Sequence, residues 1–128
     1  MRLVRDPRYG EVDLTASAEE LARLADAVAD GEGRIDSTAP PGTDTLAGVE
    51  VERTAGPGVL IRHDPGRRTL VISGDPAARA VLADNLRAVA ATDDGGHLHV
   101  DHHPGHYYLA AGSVPLIVNH PHGAMPTR

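Results

Sequence analysis

The sequence contains no cysteine, no phenylalanine and no tryptophan among its 128 residues. Without cysteine there is no disulfide and no thiolate metal site, and a reducing compartment is compatible. Without Phe or Trp, the core of a chain that is 41% hydrophobic must be built from Leu, Val, Ile and Ala. No basic stripe runs along the chain and the formal net charge is −6, so direct nucleic-acid binding is not expected. Long apolar runs are missing too. Nothing approaches the length of a membrane span, and MRLVRDPRYG at the start has no apolar signal core. The expectation is a cytoplasmic, soluble single domain over 1–119, followed by a flexible tail over 120–128.

What is present reads as alternating strands and two amphipathic helices. Leu3-Val4 and Val12–Thr15 flank Asp6-Pro7-Arg8-Tyr9-Gly10, whose Pro and Gly suit a hairpin turn. Ser17-Ala18-Glu19-Glu20 is a capping box. Leu21, Leu24, Ala25 and Val28 then fall on one stripe, predicting a helix over about 18–30 that ends at Gly31. A short strand is expected at Arg34–Asp36. The stretch 38–44, with Pro40-Pro41-Gly42, reads as the most flexible loop. Strands at 48–53, 59–61 and 69–73 read as a three-stranded meander. Asp75-Pro76 starts a second helix over about 76–91, with Leu82, Leu86 and Val89 on its apolar face. Asp93-Asp94-Gly95-Gly96 ends it. A histidine-rich strand follows, then the Pro104-Gly105 turn and a last strand at Leu116–Val118.

The fold class expected is α+β: a two-layer domain with a mostly antiparallel sheet of about 6–8 strands and both helices on one face. One internal echo runs through the chain. Val12–Thr15, a cap and Leu24-Ala25-Asp26 answer to Leu70–Ser73, a cap and Leu82-Ala83-Asp84. The identities are few, which favours a common α+β building block over duplication.

The stretch from Gly96 to Val118 holds five of the eight histidines and two of the three tyrosines. His97-Leu98-His99-Val100-Asp101-His102 spells H-x-H-x-D-H, a metal-hydrolase string. On a strand His97, His99 and Asp101 would share one side, a reasonable zinc set. This is the alternative reading: a small metal-dependent hydrolase. Against it, Leu98 and Val100 alternate as on a regular strand, which turns His102 to the opposite side. Too few residues follow His102 to supply the further ligands that the hydrolase fold uses. Elsewhere, Ser17 and Ser73 have no His/Asp partner order around them, and Gly56-Pro57-Gly58 precedes no helix that could bind phosphate. His63 reads as solvated, and His120 and His122 read as disordered polar residues of the tail. Of Tyr107 and Tyr108, one is expected to close the core and the other to serve as an exposed contact anchor.

RYGEVDLT near the start, ISGDPAARAVLADNLRAVA in the middle and GHLHVDHHPGHYYLAAGSVPLIV near the end together resemble the Imm32 family of bacterial immunity proteins, small proteins encoded beside polymorphic toxins. Where the family pattern places aromatics before P-G-H, this chain has His102-His103, which makes the H-x-H-x-D-H string a local substitution. The resemblance implies no catalytic residues and no cofactor. It implies a toxin inhibitor acting by protein–protein contact, with the acidic balance fitting a basic, nuclease-like partner. The contact surface expected is His99, Asp101, His103, His106, Tyr107 and Tyr108. Self-association through an exposed strand edge is a third reading.

Overall fold

In the computed structural model, residues 1–40, 42–92 and 96–120 are described. The turn expected at Asp93-Asp94-Gly95, Pro41 and the tail beyond His120 lie outside them. Eight strands and two helices form: β1 (Arg2–Arg5), β2 (Val12–Thr15), α1 (Ala18–Asp30), β3 (Gly33–Asp36), β4 (Gly48–Arg53), β5 (Val59–Asp64), β6 (Thr69–Gly74), α2 (Pro76–Ala90), β7 (His97–Val100) and β8 (Leu116–Asn119). The fold is α+β, as expected, and antiparallel pairing dominates. No helix among the described residues is long and apolar enough to cross a membrane.

Both helices form where the caps predict. Ser17 Oγ accepts from Glu20 N at 3.1 Å, and Glu20 Oε1 accepts from Ser17 N at 2.9 Å. Gly31 ends α1 in the left-handed region at φ 82°. A side chain there would strike Arg53 and Arg79, so the helix end needs glycine for space as well as for conformation. At α2, Asp75 accepts from Ala78 N at 3.1 Å and, from the β4–β5 connection, Gly58 N at 2.7 Å. These two backbone bonds hold the Asp75 carboxyl below its ordinary range.

The strands divide into two four-stranded sheets, β1-β2-β8-β7 and β3-β4-β6-β5, rather than joining one. The expected meander of β4, β5 and β6 is not formed, because β6 lies between β4 and β5 and runs parallel to β4. In the other sheet β2 pairs in parallel with β8, Leu14 opposite Val118. Alternation reveals which face of a strand is buried but not which strand lies beside it, and these parallel partners are distant in sequence.

The sequence echo is a topological repeat. Each half of the chain is a hairpin, a helix and a hairpin. The first sheet takes the first hairpin of one half and the second hairpin of the other, and the second sheet takes the reverse. At one constant spacing Arg5 corresponds to His63, Asp6-Pro7 to Asp64-Pro65, Gly10 to Arg68, Ser17 to Asp75, Leu21 to Arg79, and Leu24-Ala25 to Leu82-Ala83. The helices pack on each other, and the buried residues of both sheets and both helices make one continuous Leu/Val/Ile/Ala cluster. β6 is buried along its whole length.

Within each half the connection of the second hairpin is strapped to the first strand, which lies in the other sheet. The β3–β4 connection, expected to be free, is tied to β1: Arg5 N donates to Asp44 O at 2.8 Å and Leu46 N to Leu3 O at 3.0 Å. The β7–β8 connection is tied to β5 in the corresponding way: Val59 N donates to Tyr108 O and Ala110 N to Val59 O, both at 2.7 Å. His120, expected to begin the tail, is buried beside the end of α2, its Nδ1 3.3 Å from Thr92 Oγ1.

Candidate recognition surface

β7 is the edge of its sheet, antiparallel to β8. Leu98 is half-buried and Val100 buried, while His97 and His99 are exposed on one side with their rings edge-on at 5.3 Å. Asp101 lies beyond the strand end and is exposed. The expected alternation is therefore present. Among the described residues no three His, Asp or Glu side chains converge on a point where a metal ion could sit.

The strap that follows is built around His106. The Pro104-Gly105 turn is closed by His106 N donating to His103 O at 2.9 Å, with Gly105 at φ 84°. The His106 ring then turns back, and its Nδ1 accepts from Tyr108 N at 3.3 Å and Leu109 N at 3.1 Å. Only an imidazole without a proton on Nδ1 can accept, so the ring is neutral with its proton on Nε2. Burial, reinforced by His103 and His102, holds its pKa below the ordinary histidine value.

Five rings gather on this support. His106 lies edge-on to Tyr108 at 4.7 Å, tilted to His103 at 4.9 Å, stacked on Tyr107 at 5.6 Å and stacked more distantly with His102 at 6.5 Å. The two tyrosines divide between core and surface. Tyr108 is 6% exposed, joins the core and receives Asn85 Nδ2 at 3.4 Å on its hydroxyl; burial raises its phenol pKa. Tyr107 is 77% exposed with its ring flat against His106. Such a ring loses little freedom on binding because its orientation is already fixed.

Of the residues expected at the site, His103, His106, Tyr107 and Tyr108 are thus brought into one cluster, which His102 also joins. His99 pairs with His97 instead, and Asp101 connects strand to strap. The surface offers aromatic area and hydrogen-bonding groups. The nearby hydroxyl of Ser113 is committed to structure, accepting from Ile61 N at 3.1 Å and donating to Val59 O at 3.4 Å.

Two further groups were not singled out from the sequence. Arg79 is 3% exposed and donates from Nε to Gly74 O and from Nη1 to Val28 O and Ala29 O, each at 2.9 Å. It thereby supplies the positive charge that the last turn of α1 lacks. The signal was its place on the stripe Arg79, Leu82, Ala83, Leu86, the position Leu21 takes in α1. The second group is Arg5 and Arg68, brought across the repeat to the cleft that His63 lines; His63 is read from the sequence as solvated, and nothing local in the sequence joins the three.

Fold and site define a small α+β protein whose most distinctive surface is a rigid imidazole–tyrosine loop, a surface suited to binding another molecule. The sequence model of the Imm32 family, immunity protein 32, matches residues 69–121. That span runs from β6 through α2, β7 and the strap to β8, and the match supports the assignment to Imm32 made from the sequence motifs. Neither the curated proteins nor the solved structures contain a match to the chain.

Proposed function

We propose that this protein is an immunity protein that binds and neutralises a cognate toxin in the cytoplasm of the cell making both, using the strap after β7 as its contact surface. The observation that carries the reading is Tyr107, exposed and stacked on His106 within the segment that matches the immunity family. The surface proposed is His99, Asp101, His103, His106, Tyr107 and Tyr108. Tyr107 and His103 make direct contact, His106 sets the loop, and buried Tyr108 anchors it. Specific inhibitors bury roughly 800 Å² per partner and concentrate affinity in a few central aromatic anchors. The net charge of −6 favours a basic, nuclease-like toxin through long-range attraction.

The test is co-expression with the toxin encoded beside the gene, followed by affinity measurement on the purified pair. Tyr107→Ala is expected to weaken binding about 30-fold, the loss of a hot-spot contact of about 2 kcal/mol, with the fold intact by circular dichroism. If Tyr107→Ala and His106→Ala both protect and bind like the parent, toxin contact lies elsewhere on the molecule.

A further inference from the structure

The repeat brings corresponding residues face to face at one cleft. Arg5 at the end of β1 and His63 near the end of β5 are equivalents, and both line an open cleft of about 230 Å³ together with Thr43, Asp44, Thr45, Leu46, Pro65 and Arg68. The cleft therefore lies where the two halves meet, away from the Tyr107 loop.

Arg68 is the informative residue. It has φ 57°, the only residue other than glycine in the left-handed region among the described residues. Its equivalent in the first half, Gly10, has φ 72°. The same turn is thus made without strain by glycine in one half and with strain by arginine in the other. Strain kept at a position where glycine suffices points to a use for the side chain. Part of that use is structural: Arg68 Nη2 donates to Gly42 O at 2.8 Å and Thr45 O at 2.5 Å, pinning the loop that roofs the cleft. Arg68 Nε and Nη1 make no hydrogen bond among the described residues. The Arg5 guanidinium likewise has no acceptor and no ion pair there, although Asp44 stands on the cleft wall. In a protein of net charge −6, two arginines sharing a cleft with one unpaired carboxylate form a local positive site.

We propose that this cleft binds a tetrahedral oxyanion, phosphate or the phosphate of a small monoester, between Arg5, His63 and Arg68. The donors approach from three segments: β1, the β5–β6 hairpin and the 43–46 loop with its two threonines. A tetrahedral group can accept from all of these directions, whereas a planar carboxylate is matched by a single guanidinium fork.

The experiment is a titration of the intact protein at constant ionic strength, following the His63 and His106 ring resonances by NMR. Inorganic phosphate forms one arm, O-phosphoserine a second and chloride the control. Saturable movement of His63 with phosphate, with His106 still, is expected. Tighter binding of O-phosphoserine than of phosphate would assign the site to a monoester; the reverse would assign it to the free ion. Arg5→Gln, which removes a guanidinium with no bond among the described residues, is expected to weaken binding at least tenfold, and Asp44→Asn to strengthen it. A non-saturating response, a response that chloride reproduces, or equal affinity in folded Arg5→Gln would overturn the proposal.

Discussion

Replacing Arg79 by leucine, the residue its equivalent position holds in α1, removes a buried guanidinium and its three 2.9 Å bonds to Gly74, Val28 and Ala29 carbonyls. Gly74 O retains Thr54 N at 3.2 Å. Val28 and Ala29 stand in the last turn of α1, where no amide four residues on can reach them. Hydrogen bonds from a charged donor contribute about 1.5–3 kcal/mol each. That figure is already net of desolvation, so the two orphaned carbonyls cost about 3–6 kcal/mol together, and leucine returns about 2 kcal/mol through apolar burial. The net loss is about 3 kcal/mol, much of the 5–15 kcal/mol that typically separates folded from unfolded domains. Urea unfolding followed by circular dichroism reads this directly. At a typical slope of about 2 kcal/mol per molar urea, the midpoint falls by about 1.5 M. Hydrogen exchange should quicken first at the end of α1. Arg79→Lys, which keeps a charge near the helix terminus without the fork, is expected to lie between the two. An Arg79→Leu protein within about 0.5 kcal/mol of the parent would mean that desolvation cancels the bonds, and that Arg79 is no cap.

Two further outcomes follow from the same structure. Thr69 is fully buried on β6 and its Oγ1 has no partner among the described residues, so Thr69→Val, nearly the same shape without the hydroxyl, should gain about 1 kcal/mol in the same unfolding assay; a loss of that size would show that the hydroxyl is satisfied. His106 has its pKa below the ordinary 6.5, so below that pH the unfolded chain takes up the proton first. Its contribution is complete above about pH 6.5 and is lost as pH falls towards the folded pKa. Thermal unfolding at about pH 7.5 and about pH 5.5 should show a smaller drop in His106→Asn, which cannot titrate, than in the parent. His63, lowered by burial and then by Arg5, acts with the same sign and remains in both proteins.

The helices were legible because their signals are local. Ser17 and Glu20, Asp75 and Pro76, and stripes of Leu and Ala lie within one or two turns of what they specify. Hairpins were legible for the same reason, through Asp-Pro turns between alternating strands. The division into two sheets was not, since nothing in Val12–Thr15 names Leu116–Asn119 as its neighbour. The echo between halves was visible but thin, because packing restricts residue type at only a few positions, such as Leu24-Ala25 and Leu82-Ala83. At the recognition surface, PGHYYL gave the turn and the split between the tyrosines. It did not give the role of His106, whose ring is defined by two amides it reaches only once the strap has folded. Arg79 was hidden by its own type, since an arginine on an apolar stripe reads as a surface residue until its carbonyls are in place.

The crossed pairing of the two halves sets the order in which the first sheet can be assembled. At about 5–20 residues per second, the stretch of chain between Thr15 and Leu116 takes on the order of ten seconds to make. During that time the β1–β2 hairpin lacks its parallel partner β8. Contacts of such long range are slow to form. The first hairpin and α1 must wait with their apolar faces uncovered, within reach of chaperones. A ribosome stalled before Leu116 would leave the N-terminal hairpin severed from β7 and its strap. The first sheet, which carries β7 and its strap, is complete only once β8 has joined β2.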